Sequence, residues 1–234
     1  MLQDGPYLFQ SELYLKFLDI GLKKYRKVIL FYEEHEIQIM VLHHDEYFEL
    51  FISYINALFE IGEHEKFLQN IDEGIELSIA RKVNIYRGED LYHKLLFRKA
   101  ACLYHQMRYP EAKYILEELI KIQPWNDHTI MFLKKCNRAK KPAYVMNTMG
   151  AGIFIFILTA IVIAVEIFVI RQYFDKHTSF FEVCRISMFC LGVLVLVSGR
   201  AYHLWKVHNS VESFVTKQRK RKRQLKKDKA LVRD

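Results

Sequence analysis

Apolar residues are distributed unevenly along this chain of 234 residues. Residues 142–170 carry one charged side chain, Glu166, and residues 150–170 are almost wholly apolar. A helix of that length rises about 31 Å, close to the roughly 30 Å hydrocarbon core of a bilayer. A second apolar run covers residues 186–205. The pattern therefore predicts a transmembrane helical hairpin over residues 147–206, with spans at about 150–170 and 186–205.

The first 140 residues have a different pattern, in which apolar residues recur at helical spacing. Phe48, Phe51 and Ile55 form one such stripe. Gly62 and Pro110 fall between successive stripes, where glycine and proline interrupt or begin helices. The spacing predicts helices throughout residues 1–140 and no long strand.

One predicted pair of helices carries a more specific pattern. Leu96 and Ala100 lie one turn apart in the first helix, Tyr109 and Ala112 open the second, and Pro124 follows its end. Small residues let two antiparallel helices approach closely, and proline cannot continue a helix. This pattern resembles a tetratricopeptide repeat, with Leu96 at its large apolar position and Ala100 at its small one.

Further units are predicted around the clearest repeat, which spans residues 96–126. A second unit is placed at 48–80, a degenerate pair at 11–36, and a terminal capping helix at 127–138. The resulting fold is all-α: a solenoid of tetratricopeptide-like repeats over residues 1–140, two transmembrane helices, and a basic tail over 207–234. A generic helical bundle is the alternative for the first 140 residues.

Charge changes the picture because the whole formal net charge of +8 lies in residues 206–234. Basic residues favour the cytoplasmic side of a membrane. They precede the first span and follow the second, whereas the connecting loop carries only Arg171, Lys176 and Arg185. The chain is therefore predicted to be a multi-pass integral membrane protein with both termini in the cytoplasm.

Two charged residues within the predicted hairpin are expected to meet. Glu166 lies about 6 Å below the outer end of the first span, and Arg185 lies at the outer end of the second. An antiparallel hairpin places them at similar depth, which predicts an intramembrane ion pair. A proton or ion relay through Glu166 is the functional alternative, since ionisable groups within membranes are often functional.

The tetratricopeptide resemblance implies a concave groove that binds a protein or a peptide. Carried over position by position, the groove would be lined by residues of two first helices. These residues are Glu49, Ile52, Asn56, Phe59, Lys94, Phe97, Ala101, Tyr104 and His105. Their apolar and aromatic character favours a helix or an extended segment as the ligand.

Catalytic and metal-binding patterns are absent from the sequence. It contains no phosphate-binding glycine loop, no nucleotide fingerprint and no nucleophile elbow. The His and acidic residues at 33–36 and 43–46 match no established metal spacing. The sequence therefore predicts no enzyme activity, no catalytic residue, no metal and no cofactor.

The tail carries nine Lys and Arg residues between positions 217 and 229. Next to a membrane span, such a run predicts contact with anionic lipid head groups. The residues predicted to make it are Arg219, Lys220, Arg221, Lys222, Arg223, Lys226 and Lys227. No aromatic residue lies within the run, which argues against nucleic acid as its partner.

Together these patterns predict a membrane-anchored scaffold or adaptor that binds a protein or peptide at the cytoplasmic face. The alternative is a subunit of a membrane transport or signalling complex whose spans are functional. Ala160 and Ala164 stand at the small-residue spacing that permits close helix contact in membranes. The identity of the partner and the oligomeric state stay open.

Overall fold

The structure is a computed structural model that describes residues 11–21, 23–83, 85–140, 142–170 and 178–231. Within these residues the chain is helical apart from one short pair of strands. The elements are α1 (Glu12–Ile20), α2 (Tyr25–Glu34), α3 (Glu36–Met40), α4 (His44–Ile61), α5 (His64–Ala80), β1 (Ile85–Tyr86), β2 (Glu89–Asp90), α6 (Leu91–His105), α7 (Tyr109–Ile122), α8 (Asp127–Ala139), α9 (Ala143–Val165), a π-helical turn (Glu166–Ile170) and α10 (Thr178–Leu231).

The chain divides into two compact units, Met1–Gln123 and Pro124–Asp234. The sequence predicts a first domain that ends at residue 140, with residues 127–138 as its capping helix. The contacts group α8 with α10, in the second unit. The helical class and the two long apolar helices are confirmed, whereas the solenoid of tetratricopeptide repeats stays a prediction.

Helices of the first unit pack in sequence order: α2 on α4, α4 on α5, α5 on α6, and α6 on α7. The turns fall where the breakers predict them. Gly62 ends α4 with a φ of 86°, a left-handed conformation that suits glycine, and Glu63 N then donates to Leu58 O over 3.0 Å. Ala100 and Ala112, the predicted small residues, are completely buried.

The packing of α4 on α5 depends on a small residue that the repeat pattern did not indicate. Gly74 is buried, and a Cβ at this position would lie 2.6 Å from Cδ1 of Ile55. Ile55 and Phe67 are both completely buried in the core. The close approach is thus made at Gly74, which lies on the same face of α5 as Phe67, about two turns further along.

A β-hairpin interrupts the helical pattern between α5 and α6. Ile85 pairs with Asp90 and Tyr86 with Glu89, in antiparallel register around Arg87 and Gly88. Both turn residues have positive φ, as two-residue hairpin turns of type I′ require. The prediction of helix throughout residues 1–140 is therefore wrong for this segment, because a two-residue strand is too short to show a periodicity.

The second unit is built on α10, a helix of 54 residues and thus about 81 Å long. Helices α8 and α9 both pack against it. Pro142, which has an extended backbone, separates α8 from α9. These are therefore two separate helices, whereas α10, against which both pack, is continuous.

Two segments of this unit are long and apolar enough to cross a membrane: Ala143–Phe168 and Val183–Asp228. The most apolar 18 residues of each have mean hydropathies of 2.7 and 1.7. Most side chains in these apolar parts are exposed rather than buried inside the protein. They therefore differ from the core helices of a globular domain.

Candidate functional site

The predicted groove lies between α4 and α6, and Arg98 of α6 crosses it. Its Nη1 donates to Oδ1 of Asn56 over 2.7 Å, and its Nη2 to Oε1 of Glu60 over 2.7 Å. The guanidinium carbon lies 4.5 Å from the centroid of the Phe59 ring. Arg98 is mostly buried, and it already contacts Asn56 and Phe59, which the sequence predicts to contact a ligand.

The remaining α4 positions are also engaged within the protein. Ile52 is completely buried and belongs to the core. Glu49 accepts hydrogen bonds from the hydroxyl of Tyr14 and from Arg87 Nη2, the latter over 3.1 Å. Burial and this carboxylate raise the pKa of Tyr14 well above its ordinary value. The α4 side of the predicted groove is therefore occupied by contacts within the first unit.

The predicted residues on α6 form a stripe along one side of that helix, which we call the α6 face. Its members are Lys94, Phe97, Ala101, Tyr104 and His105. All five are partly or fully accessible, whereas the other side of α6 is buried through Leu95 and Cys102. Glu49, Asn56 and Phe59 of α4 are partly accessible as well, but they contact Tyr14, Arg87 or Arg98 within the first unit.

Aromatic contacts hold the α6 face in place. The rings of His93 and Phe97 stack with centroids 6.4 Å apart. Tyr104 contacts the ring of Tyr109 edge to face at 5.4 Å, which ties the end of α6 to the start of α7. Such pairs stabilise a defined orientation of each ring.

A second cluster, which the sequence analysis missed, joins α5 to α6. The rings of His64 and His105 stack with centroids 4.9 Å apart, and Cys102 Sγ lies 3.3 Å from His64 Nδ1. Burial raises the pKa of Cys102 to about 12, so the thiol stays protonated and unreactive at neutral pH. Burial, with a smaller contribution from His105, lowers the pKa of His64.

Metal binding finds no support within the described residues, where no three His, Cys, Asp or Glu side chains converge. His43 and Asp45 lie at the start of α4 and Glu33 on α2, where Glu33 pairs with Lys66 over 2.7 Å. Asp45 instead pairs with Arg81, also over 2.7 Å. One acidic residue of each segment, Glu33 and Asp45, is thus found in an ion pair with a basic side chain.

In the second unit, α9 and α10 approach closely through glycines. A Cβ at Gly152 would lie 2.5 Å from Cδ2 of Leu196, and one at Gly199 would lie 2.8 Å from Cβ of Thr148. The buried positions of α9 and of the π-helical turn that follows it are seven residues apart, which is the spacing of a left-handed helix pair. They are Val145, Gly152, Thr159 and Glu166.

Glu166 and Arg185, which the sequence predicted to meet, are brought together at one end of this seam. Arg185 Nη1 lies 3.2 Å from Glu166 Oε2. Glu166 is 1 % exposed, whereas a third of the Arg185 side chain is accessible. The π-helical turn begins at Glu166 itself, and π-helical turns in α-helices occur frequently at functional sites. Arg171 and Lys176 of the connecting loop lie outside the described residues.

At the opposite end, α8 packs on the part of α10 that follows the apolar segment. Val207, Val211 and Val215 are buried. Lys134 of α8 pairs with Glu212 over 2.5 Å. The predicted basic residues follow on the same helix, and most of them are exposed. The basic tail is thus a direct helical continuation of the second apolar segment.

Comparison with known proteins adds no further constraint. No family model matches the chain, and no match is found among curated proteins or solved structures.

Proposed function

We propose that this protein is a membrane-anchored helical adaptor, in which the second unit inserts into a bilayer and the first unit binds a protein partner. The observation that carries the proposal is the exposed apolar surface of the paired helices. Phe154 and Ile157 of α9 are 61 % and 54 % exposed, and Leu194 and Val197 of α10 are 66 % and 60 % exposed. Apolar patches of this extent indicate contact with lipid or another protein.

The backbone hydrogen bonds of α9 and of the apolar part of α10 support insertion of the two helices as a pair. Only structures whose backbone hydrogen bonds are internal can cross a bilayer, and α9 and the apolar part of α10 meet that condition as continuous helices. Their glycine contacts are of the kind that drives helix association in lipid, where packing replaces the hydrophobic effect.

The proposed partner-binding surface is the α6 face. Phe97 and Tyr104 provide aromatic groups that are already oriented by neighbouring rings, and oriented aromatics are frequent anchors in protein interfaces. Lys94 and His105 border them with polar groups. An amphipathic helix or an extended segment would fit this combination of an apolar centre and a polar rim.

Two measurements test the two halves of the proposal. Extraction of native membranes with alkaline carbonate should leave the protein in the pellet, and release into the supernatant would contradict insertion. The full-length protein in nanodiscs then serves as bait for partners, beside the double variant Phe97→Glu/Tyr104→Glu. Tyr114→Glu, at an exposed position of α7, is the matched control. A partner lost only by the double variant, with unchanged thermal unfolding, would support the α6 face.

A second candidate function is favoured by the Glu166–Arg185 pair. A buried carboxylate at a π-helical turn within an apolar hairpin is suited to a role in the spans themselves, as in a transport or signalling subunit. Ala160 and Ala164 lie on the exposed side of α9, where they would permit another helix to approach. Loss of function in Glu166→Gln with intact partner binding would favour this candidate.

A further inference from the structure

Trp125 lies beside the basic end of α10, although it stands far away in the sequence. Lys222 Nζ lies 6.0 Å and Lys226 Nζ 5.8 Å from the centroid of its ring. The indole is 45 % exposed. The basic run, which contains no aromatic residue of its own, thus acquires one through the fold.

The position of Trp125 is fixed by polar contacts on both sides. Arg219 Nε donates to the carbonyl oxygen of Pro124 over 2.8 Å, and its Nη2 lies 3.8 Å from Asp127 Oδ1. Asn126 then caps α8 by accepting from Thr129 N over 3.2 Å. The segment that carries the indole is therefore held against α10, and such preorganisation lowers the cost of binding.

Further cations lie on the accessible side of α10. The exposed ones are Lys217, Lys220, Arg221, Arg223, Lys226 and Lys227. Lys217, Lys220, Arg223 and Lys227 recur every three or four residues, so they lie on one side of the helix, over an axial length of about 15 Å. This side is about a third of a turn around the helix from Lys222 and Lys226, which flank the indole. Within residues 217–228 the acidic residue is Asp228 and the large apolar one is Leu225.

If the second unit inserts as proposed, the lipid head groups of its own membrane are too distant to neutralise this charge. Arg219 stands 13 residues, about 20 Å, beyond Lys206, which follows the second apolar segment. The head-group layer on each side is about 6 Å thick, and charge is screened over about 8 Å at physiological salt. A tilt of about 20° shortens the height only slightly. This geometry argues against the head-group contact that the sequence predicts.

A protein partner fits the same surface poorly. Protein interfaces have apolar centres from which charged residues are depleted. Here Leu225 is surrounded by cations, and no other apolar side chain lies between residues 217 and 228. Surfaces that bind nucleic acid are, by contrast, polar and strongly positive.

We infer that Trp125 and the basic end of α10 bind single-stranded nucleic acid. A base stacks on the indole, while Lys220, Arg223 and Lys227 contact the phosphates. Proteins that bind single strands combine these two elements, a basic track and an aromatic platform. A duplex would contact the cations but would leave the indole unused, because its bases are already stacked. RNA and DNA share the chemistry of this recognition and are separated by the experiment.

The test uses the full-length protein in nanodiscs of phosphatidylcholine, a lipid that carries no net charge. The probes are fluorescein-labelled 20-nucleotide RNA and DNA of one sequence, each as a single strand and as a duplex. Anisotropy titrations at several KCl concentrations give the affinity and its salt dependence. Trp125→Ala should weaken single-strand binding about 5- to 100-fold. Trp205→Ala, which removes an indole that is 61 % exposed at the end of the apolar segment, is the matched control and should have no effect. Lys220→Ala/Arg223→Ala should lower the log–log salt slope by about 1.4.

A direct readout of stacking is available because the chain contains two tryptophans. In a Trp205→Phe background, single-stranded RNA should quench the emission of Trp125. Any of three results would overturn the inference in favour of a general polyanion site. Trp125→Ala and Trp205→Ala would weaken binding equally, the duplex would bind as tightly as the single strand, or polyglutamate would compete as effectively as nucleic acid. Quenching of Trp125 by head-group spin-labelled lipid would overturn it in favour of lipid contact. Failure of insertion is measured separately by carbonate extraction, and the titrations can then be made without nanodiscs.

Discussion

Arg98 on α6 donates from Nη1 to Oδ1 of Asn56 on α4 over 2.7 Å. The same guanidinium bonds Glu60 and covers the Phe59 ring, so one side chain satisfies three groups of the neighbouring helix. Lysine cannot reproduce this planar fork. We expect Arg98→Lys to lower the free energy of unfolding by about 1–2 kcal/mol. Circular dichroism of the full chain during urea titration measures the change.

The control for this prediction is Arg108→Lys. Arg108 pairs with Glu111 on the surface, where ion pairs contribute little, and no measurable change is expected. Equal destabilisation by the two substitutions would show that the contacts of Arg98 with α4 contribute no more to stability than a surface ion pair does.

Gly74→Ala should destabilise the first unit because the new methyl group would lie 2.6 Å from Ile55 Cδ1. Overpacking typically costs about 1–3 kcal/mol, more than the helix propensity that alanine gains. Ile55→Val removes the clashing methyl group, so the double variant should lose less stability than the sum of the single variants. Strict additivity in urea unfolding would contradict a direct clash.

Gly152→Ala and Gly150→Ala form a matched pair on α9. A Cβ at Gly152 meets Leu196 at 2.5 Å, whereas one at Gly150 has no neighbour within 4 Å. We expect Gly152→Ala to lower the thermal midpoint of the protein in micelles, at a cost of about 1–3 kcal/mol. Gly150→Ala should be neutral or slightly stabilising. The opposite order would mean that α9 and α10 do not pack through this glycine.

Glu166→Gln and Arg185→Gln should each destabilise the hairpin, because each leaves a charge without its partner in an apolar environment. Breaking a buried pair costs about 3 kcal/mol. The double variant should be no less stable than either single variant, since no charge is then left uncompensated. Thermal unfolding in micelles of the four proteins completes the cycle, and simple additivity would argue against the pair.

The stability of the first unit should depend on pH through His64. Burial and His105 lower its pKa in the folded state, so between that pKa and the ordinary value of 6.5 the unfolded chain binds more protons. Stability is then fully present above about pH 6.5 and is lost as the pH falls through the lowered pKa. His105→Gln removes one cause of the shift.

Melting curves at pH 7.5, 6.5 and 5.5 test this dependence. The wild type should lose more stability towards acid than His105→Gln does. If both proteins show the same profile, the stacked histidines are not electrostatically coupled.

Much of the helical framework could be predicted because it depends on local signals. Gly62 and Pro110 mark turns by their own backbone preferences, and the apolar run of α9 is visible without any tertiary contact. The contact between Glu166 and Arg185 was also predictable. In an antiparallel pair of helices, residues at similar distances from the connecting loop lie side by side. In each case the information lies within a few residues or within one connection.

The parts that escaped prediction depend on contacts between distant segments. Arg98 was not recognised as the residue that crosses the groove, because its spacing on α6 does not reveal its reach to Asn56. The approach of His64 to Cys102 brings together residues 38 positions apart. The bond between Arg219 and Pro124 spans 95 positions and sets Trp125 beside the basic run, which by itself contains no aromatic residue.

Helix α10 continues without a break from its apolar segment to its basic end. No hinge separates Trp205 from Asp228, because the described backbone between them is helical throughout. If the apolar segment tilted by about 10°, Asp228, about 35 Å beyond Trp205, would therefore move by about 6 Å. Because the helix is continuous, a small change of angle at its apolar end would become a displacement of several ångströms at its basic end.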